Sequence, residues 1–223
     1  MEDFKLHCGY LGGNSYYGYD SFLVQCDDMY CYTVATSDPP CLFNWFVELF
    51  WIKLPNDGKR LRVSMDITWD QHSHNGNTKS TPVTLQFCHE ICCIIFQVCP
   101  QENFPRSSLE HFLNHDYVDF FGFQMLHKVQ YLRKAYNLVV KNWFDIPRQA
   151  RLSNPARFRN CSNLSLQRMV CMDFWKWYAK PTGLLQSNWR LNKLSTDKIM
   201  YATLDCYLAY KLSVPLSIPR KIE

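Results

Sequence analysis

Residues 194–212 read LSTDKIMYATLDCYLAYKL, and the rest of the chain is best read outward from them. Ser195 is an N-cap signal, because a serine oxygen there accepts a hydrogen bond from an otherwise orphaned first-turn N–H. Pro215 ends the segment, so a helix is predicted over Thr196–Lys211. Tyr201 and Asp205 stand four residues apart and therefore share one helical face. A single acid on a helix is most often solvent-facing. Alone, the pair proves nothing.

A second carboxylate changes the weighing. Residues 62–69, RVSMDITW, alternate and are rich in β-formers, which predicts a strand carrying Asp66 near its end. A carboxylate in an apolar strand is costly to bury unless it is paired or holds a cation. Two further strands, Pro82–Cys88 and Ile91–Val98, follow around a turn at His89-Glu90. Next come a helix over Ser107–Leu113 capped by Ser107 or Ser108, a strand over Tyr117–Phe123, and a helix over Leu126–Tyr136 ended by Asn137. A short strand at Asn142–Asp145 and a helix at Asn163–Met172 complete the middle of the chain. Upstream, the first forty residues are turn-rich and tyrosine-rich, with a hairpin of Ser21–Cys26 and Met29–Ala35 joined by Asp27-Asp28. Asp38-Pro39-Pro40 stops that segment, Leu42–Trp51 has helical spacing, and Asn56-Asp57-Gly58 is a turn. Consecutive strands followed by alternating strands and helices predict an α/β fold, a mixed sheet flanked by helices.

Composition sets the outer limits. The chain has 223 residues, 47% hydrophobic and 20% charged, which predicts one globular domain with an N-terminal extension over about 1–58 and a core over about 59–214. A net charge of +4 and a pI near 8.4 fall short of the basicity of a committed nucleic-acid binder. No apolar window approaches the roughly 18 to 20 residues that cross a bilayer. The acidic N-terminus does not read as a secretory signal. The expectation is an intracellular protein, nuclear or cytoplasmic, without a membrane. Eleven irregularly spaced cysteines fit reduced thiols rather than a disulfide scaffold. Cys88, Cys92, Cys93 and Cys99, near His89, lack zinc-ligand spacing and are expected as small hydrophobes in the sheet. His72 and His74 lie in a polar stretch and are expected to be solvated. Arg157 and Arg159, followed by Trp175 and Lys176, interleave cations with aromatics, as single-stranded nucleic acid requires. A solvated helix face beside an aromatic core edge is the competing account.

RVSMDITW, TPVTLQFC, IIFQV, SLEHFL, FFGFQMLHKVQYLRKAYNL, LSLQRMV, LLQSNW and the opening segment occur in that order. Together they resemble the Werner-syndrome-type 3′→5′ exonuclease domain, a DEDDy, RNase D-like type, in the stand-alone form familiar from plants. The resemblance runs from about Tyr32 to Leu212. It implies a ribonuclease H-like fold: a five-stranded mixed sheet with helices on both sides, here preceded by an N-terminal hairpin and helix. It also implies two-metal phosphodiester hydrolysis, in which four acids hold two divalent ions about 3.5–4 Å apart. A tyrosine four residues before the last acid orients the water.

The chain departs from that pattern at two acids. The Asp-x-Glu motif reads Asp66-Ile67-Thr68, the helix acid falls on Lys128, and the second glycine of Gly-x-Gly is Gln124. Tyr201 and Asp205 are intact. Asp66 and Asp205 are thus the remaining metal ligands, and Asp66, Tyr201 and Asp205 the remnant catalytic set. Thr68 is a weak neutral ligand, and Lys128 repels cations where the second ion would sit. The expectation is a pseudoenzyme that binds nucleic acid, single-stranded or 3′-ended, or a protein partner. No cofactor is expected. The alternatives are an active exonuclease with Mg²⁺ or Mn²⁺, or with a site of Asp66, Asp70, His127 and Asp205 remodelled for a softer metal such as Zn²⁺ or Mn²⁺, and a protein-interaction module. A homo-oligomer is left open. Lys128 is expected to replace metal charge, its nitrogen within about 4 Å of Asp66 or Asp205.

Overall fold

A computed structural model describes residues 2–14, 18–53, 60–74, 77–98, 106–178, 181–185, 187–191 and 193–216. The elements before the core are β1 (Glu2–Asp3), β2 (Leu6–Asn14), β3 (Tyr19–Cys26), β4 (Met29–Thr36) and α1 (Pro39–Lys53). The core continues with β5 (Leu61–His74), β6 (Asn77–His89), β7 (Cys92–Gln97), α2 (Arg106–Leu113), β8 (Val118–Gly122), α3 (Met125–Tyr136) and β9 (Trp143–Asp145). The last elements are α4 (Ile146–Ser153), α5 (Pro155–Phe158), α6 (Leu166–Phe174), β10 (Lys176–Trp177), α7 (Thr182–Leu185) and α8 (Thr196–Ser213).

The five core strands run β7-β6-β5-β8-β9, with β5, β6 and β7 antiparallel and β8 and β9 parallel to β5. This is the mixed sheet of a ribonuclease H-like fold. The N-terminal hairpin is not a separate appendage. β4 pairs parallel with β7, Tyr32 opposite Cys92, so β2-β3-β4 extend the same sheet to eight strands among the described residues. The turn at Asp27 has φ of 52°, which aspartate tolerates better than most residues, and the Asp27 carboxylate accepts from Lys5 N at 2.8 Å. β2 itself was not expected, because its glycines and tyrosines read as turn material; pairing with β3 overrides that preference.

Several boundaries differ for identifiable reasons. Pro39 and Pro40 open α1 rather than standing apart from it, since proline fits the first turn and the Asp38 carboxylate accepts from Cys41 N at 3.2 Å. β5 and β6 run past the core as a two-stranded ribbon, Asp70 opposite Thr81 to His74 opposite Asn77, so a polar stretch expected as loop is ladder instead. Ser107 and Ser108 lie inside α2, not ahead of it, and α6 starts at Leu166 because Ser165, not Asn163, is its cap. α4 was missed although Asp145 caps it and Pro147 sits in its first turn. Asn137 ends α3 at φ 56° as expected. The 56–58 turn and Cys99 lie outside the described residues.

Each sheet face carries its own core. Leu42, Phe46, Phe112, Met125 and Leu132 from α1, α2 and α3 cover one face. α8 lies across the other, its core residues including Ile199, Ala202, Cys206 and Leu208. No described helix is long and apolar enough to cross a membrane.

The junction from β8 to α3 is tight. A Cβ on Gly122 would stand 2.5 Å from the Met65 carbonyl oxygen, so only glycine allows this approach to β5. Two residues on, Gln124 holds φ 53° with no capping bond from its side chain. A left-handed non-glycine residue costs about 1–2 kcal/mol, partly offset in glycine by greater unfolded-chain entropy. Gln124→Gly should therefore stabilise the protein by about 0.5–1 kcal/mol in urea denaturation. A loss of stability would mean that the glutamine side chain contributes more than the backbone strain costs.

Candidate active site

α8 reaches the sheet closely because the facing residues are small. Thr33 and Thr203 share a hydrogen bond of 3.0 Å, and Ser64 Oγ donates to the Cys206 carbonyl at 2.7 Å. One residue before Cys206, Asp205 is thereby brought to the same cavity as Asp66. α3 enters from the other side with Met125, Lys128 and Leu132 as its buried residues, so a lysine occupies a position on an apolar stripe. Asp66, Lys128 and Asp205 line one cavity of about 780 Å³, together with Trp69, Asp145 and Arg151.

Lys128 Nζ donates to Asp66 Oδ1 at 2.5 Å, and the lysine is only 6% exposed. The same oxygen accepts from Ile67 N at 2.8 Å. Tyr178 Oη, which is not on the cavity lining, donates to Asp205 Oδ1 at 2.7 Å. Burial, and then the Asp205 carboxylate, push the Tyr178 hydroxyl far above the usual phenol range, so it stays a donor. Thr68, where the resemblance has glutamate, accepts from Gln86 Nε2 at 2.7 Å, and that nitrogen lies 2.6 Å from Thr84 Oγ1. Gln86 stands opposite Asp66 in the ladder, and its Oε1 is buried without a hydrogen-bond partner among the described residues. Each family acid position is thus engaged by protein groups. Asp145 serves the fold. Its carboxylate accepts from Met125 N at 3.1 Å and from Arg148 N at 3.4 Å, capping α4 and supplying the cap that Gln124 does not give α3.

These residues do not fit two Mg²⁺ ions. Mg²⁺ requires near-octahedral oxygen ligation, whereas an ammonium donates to Asp66, a neutral amide donates to Thr68, and a phenol donates to Asp205. Among the described residues no three His, Cys, Asp or Glu side chains are arranged to hold a metal ion. His127 of the remodelled alternative packs edge-on against Trp69 at 5.7 Å instead. The side chains of Asp70, His72 and His74 lie outside the described set.

The other candidates divide. Tyr201 places its ring 6.2 Å from Tyr178 and does not line the cavity. Arg157, Arg159, Trp175 and Lys176 lie on α5, the end of α6 and β10, also outside it. Trp175 is 77% exposed at φ 57°, an unusual conformation for so large a side chain. Arg157 is paired with Asp173, and Lys176 lies 3.3 Å from both Glu2 and Asp27, so their charges are already countered. Cys88 and Cys93 face each other across β6 and β7 in the core, and burial pushes both thiols up, as small hydrophobes in a sheet behave. Tyr178, Trp69 and Arg151 are the site residues that sequence reasoning did not select. Nothing in their spacing pointed to a shared site.

No family model and no curated protein sequence matches this chain. Solved structures do. Trypanosoma brucei RNase D matches with TM-score 0.66 at 12% identity, over 85% of this chain and 66% of that one. The Aedes aegypti Nibbler EXO domain matches with TM-score 0.62 at 16% identity, over 80% of this chain and 84% of that one. Escherichia coli RNase D, an exoribonuclease involved in structured RNA processing, matches with TM-score 0.62 at 9% identity, over 80% of this chain. The match spans 42% of that enzyme's length. The fold is therefore that of RNase D-type, DEDDy 3′–5′ exonuclease domains.

Proposed function

We propose that this protein binds nucleic acid through an exonuclease fold without carrying out two-metal hydrolysis. The observation that carries this reading is the Lys128–Asp66 pair at 2.5 Å. A buried ammonium occupies a position where the catalytic pattern needs a carboxylate, and it neutralises the first metal ligand. Thr68 and Asp205 reinforce it, each already bonded to a neutral donor. Exonuclease domains of the same fold make nucleic acid the natural ligand class. Exposed Trp175, with Arg159 on the neighbouring α5 end, supplies an aromatic and a cation of the kind that hold single strands.

The active-enzyme reading retains one supporting observation: Asp66 and Asp205 line the same cavity. A single experiment separates the two. End-labelled single-stranded and recessed-end oligonucleotides, incubated with Mg²⁺ or Mn²⁺, should be retained in a gel shift and remain full length. Loss of 3′-terminal nucleotides in wild type but not in Asp66→Ala would establish the active enzyme instead.

A further inference from the structure

α8 packs against one face of β2, β3 and β4, where Cys8, Phe22, Val24 and Cys31 join the core beneath it. Side chains alternate along a strand, so the residues between these point to the opposite face. On that side Val34 packs against the core that Leu42 and Phe46 of α1 help to build. Further along β4 the same face opens to solvent. Tyr30 and Tyr32 are each 48% exposed, their rings edge-on at 6.0 Å. Ile91, whose carbonyl accepts from Tyr32 N at 2.7 Å, is exposed beside them. Half-buried Leu23 stands opposite Tyr32, and exposed Gln25 lies between Tyr30 and His7 in the ladder.

None of the outward positions on these three strands carries Asp, Glu, Lys or Arg, although 20% of the chain is charged. A sheet face left to water normally alternates to polar residues, and an exposed apolar patch marks a contact surface. The charges decide what it contacts. Nucleic acid would need cations on this face, and a charged protein partner would need opposite charges. The face offers neither. Two copies of a chain with net charge +4 repel each other, least where they meet through an uncharged surface. A twofold contact sets each patch against itself, and a patch without charge is complementary to itself.

We propose that two copies of this chain associate through the outer face of β2, β3 and β4, the two sheets stacking as in a β-sandwich. Three strands of about eight residues present roughly 400 Å² of sheet, about half of what each partner of a standard interface buries. The dimer is therefore weak, with a dissociation constant of about 10–100 µM. None of these residues lines the cavity of Asp66 and Lys128, so each copy keeps its own. The inference concerns a different face from the nucleic-acid reading and stands independently of it.

Sedimentation velocity between about 1 and 200 µM, on protein stripped of nucleic acid, tests it. Wild type should pass from monomer to dimer across that range. Raising the salt from about 50 to 500 mM should leave the dimer intact, because no ion pair holds it. Tyr32→Lys and Tyr30→Lys should each weaken association at least about tenfold by placing like charges against each other. Trp175→Ser, away from this face, should change nothing. Should both lysine variants fail a melting control, Gln25→Lys, on an exposed polar side chain of the same face, decides. A monomer at about 200 µM would overturn the inference. A dimer equally stable in the folded lysine variants, one that salt disperses, or one formed only on added oligonucleotide would overturn it too.

Discussion

Lys128→Asp should destabilise the metal-free protein by about 3 kcal/mol, the low end of what breaking a buried ion pair costs. The lysine side chain is 8% exposed and that of Asp66 26% exposed, so solvent compensates only part of the loss. The substitution removes the ammonium from Asp66 and adds another acid to a cavity already holding Asp66, Asp145 and Asp205. Like charges brought together disfavour ionisation, so the destabilisation should ease as the pH falls through the carboxylate range. Lys128→Met separates packing from charge: it keeps a similar stem, and a smaller loss than in the aspartate variant is expected. Urea denaturation in EDTA gives all three values. An aspartate variant as stable as wild type would show that the pair contributes nothing to holding this site closed.

The largest functional change is expected from restoring both missing acids. Thr68→Glu with Lys128→Asp gives four carboxylates around the positions of Asp66 and Asp205, the donor set that two divalent ions require. In EDTA the double variant should be less stable than wild type, since four acids would face one another without a counter-charge. Added Mg²⁺ or Mn²⁺ should reverse this, by about 2.7 kcal/mol once the ion reaches a hundred times its dissociation constant. Wild type should show no saturable stabilisation, because Lys128 already fills the role of a cation. A thermal melt across a Mn²⁺ series reads both outcomes. If the double variant gains nothing from either ion, the surrounding cavity no longer has the shape of a metal site, and the loss extends beyond two residues.

How much of this was legible depends on how local the cause was. α8 could be read from Ser195 and its spacing, β5 from alternation, and the end of α3 from Asn137, because each is decided by neighbours in sequence. A Lys128 ion pair was also foreseeable, since the resemblance puts the lysine where an acid would neighbour Asp66 and Asp205; which of the two it meets was left open. The remainder depended on distant pairing. β2 is a strand because β3 accepts it, not because glycine and tyrosine favour one. Tyr178 becomes a site residue only once the chain after α6 folds back beneath α8, bringing its hydroxyl to Asp205. Asp145 serves two helix ends, one of them twenty positions earlier, and no local signal announces the second. Trp69 continues the alternation of Met65 and Ile67, and only the packing of α3 beside it makes it part of a cavity wall.

The parallel ladder between β4 and β7 also dictates an order of events during synthesis. Tyr32 and Cys92 pair directly although sixty positions separate them. At typical translation rates of about 5–20 residues per second, the N-terminal hairpin emerges roughly 3–12 s before its docking strand. Meanwhile the inner edge of β4 has unsatisfied backbone groups, and the apolar face of the ribbon has no helix to cover it. Closing so long a loop delays docking until the β5–β6–β7 meander exists to receive it. The hairpin, made before the meander, thus reaches its final place after it. Nascent chains halted before residue 92 should leave that edge open to chaperones and to other chains, whereas those halted beyond β7 should protect it.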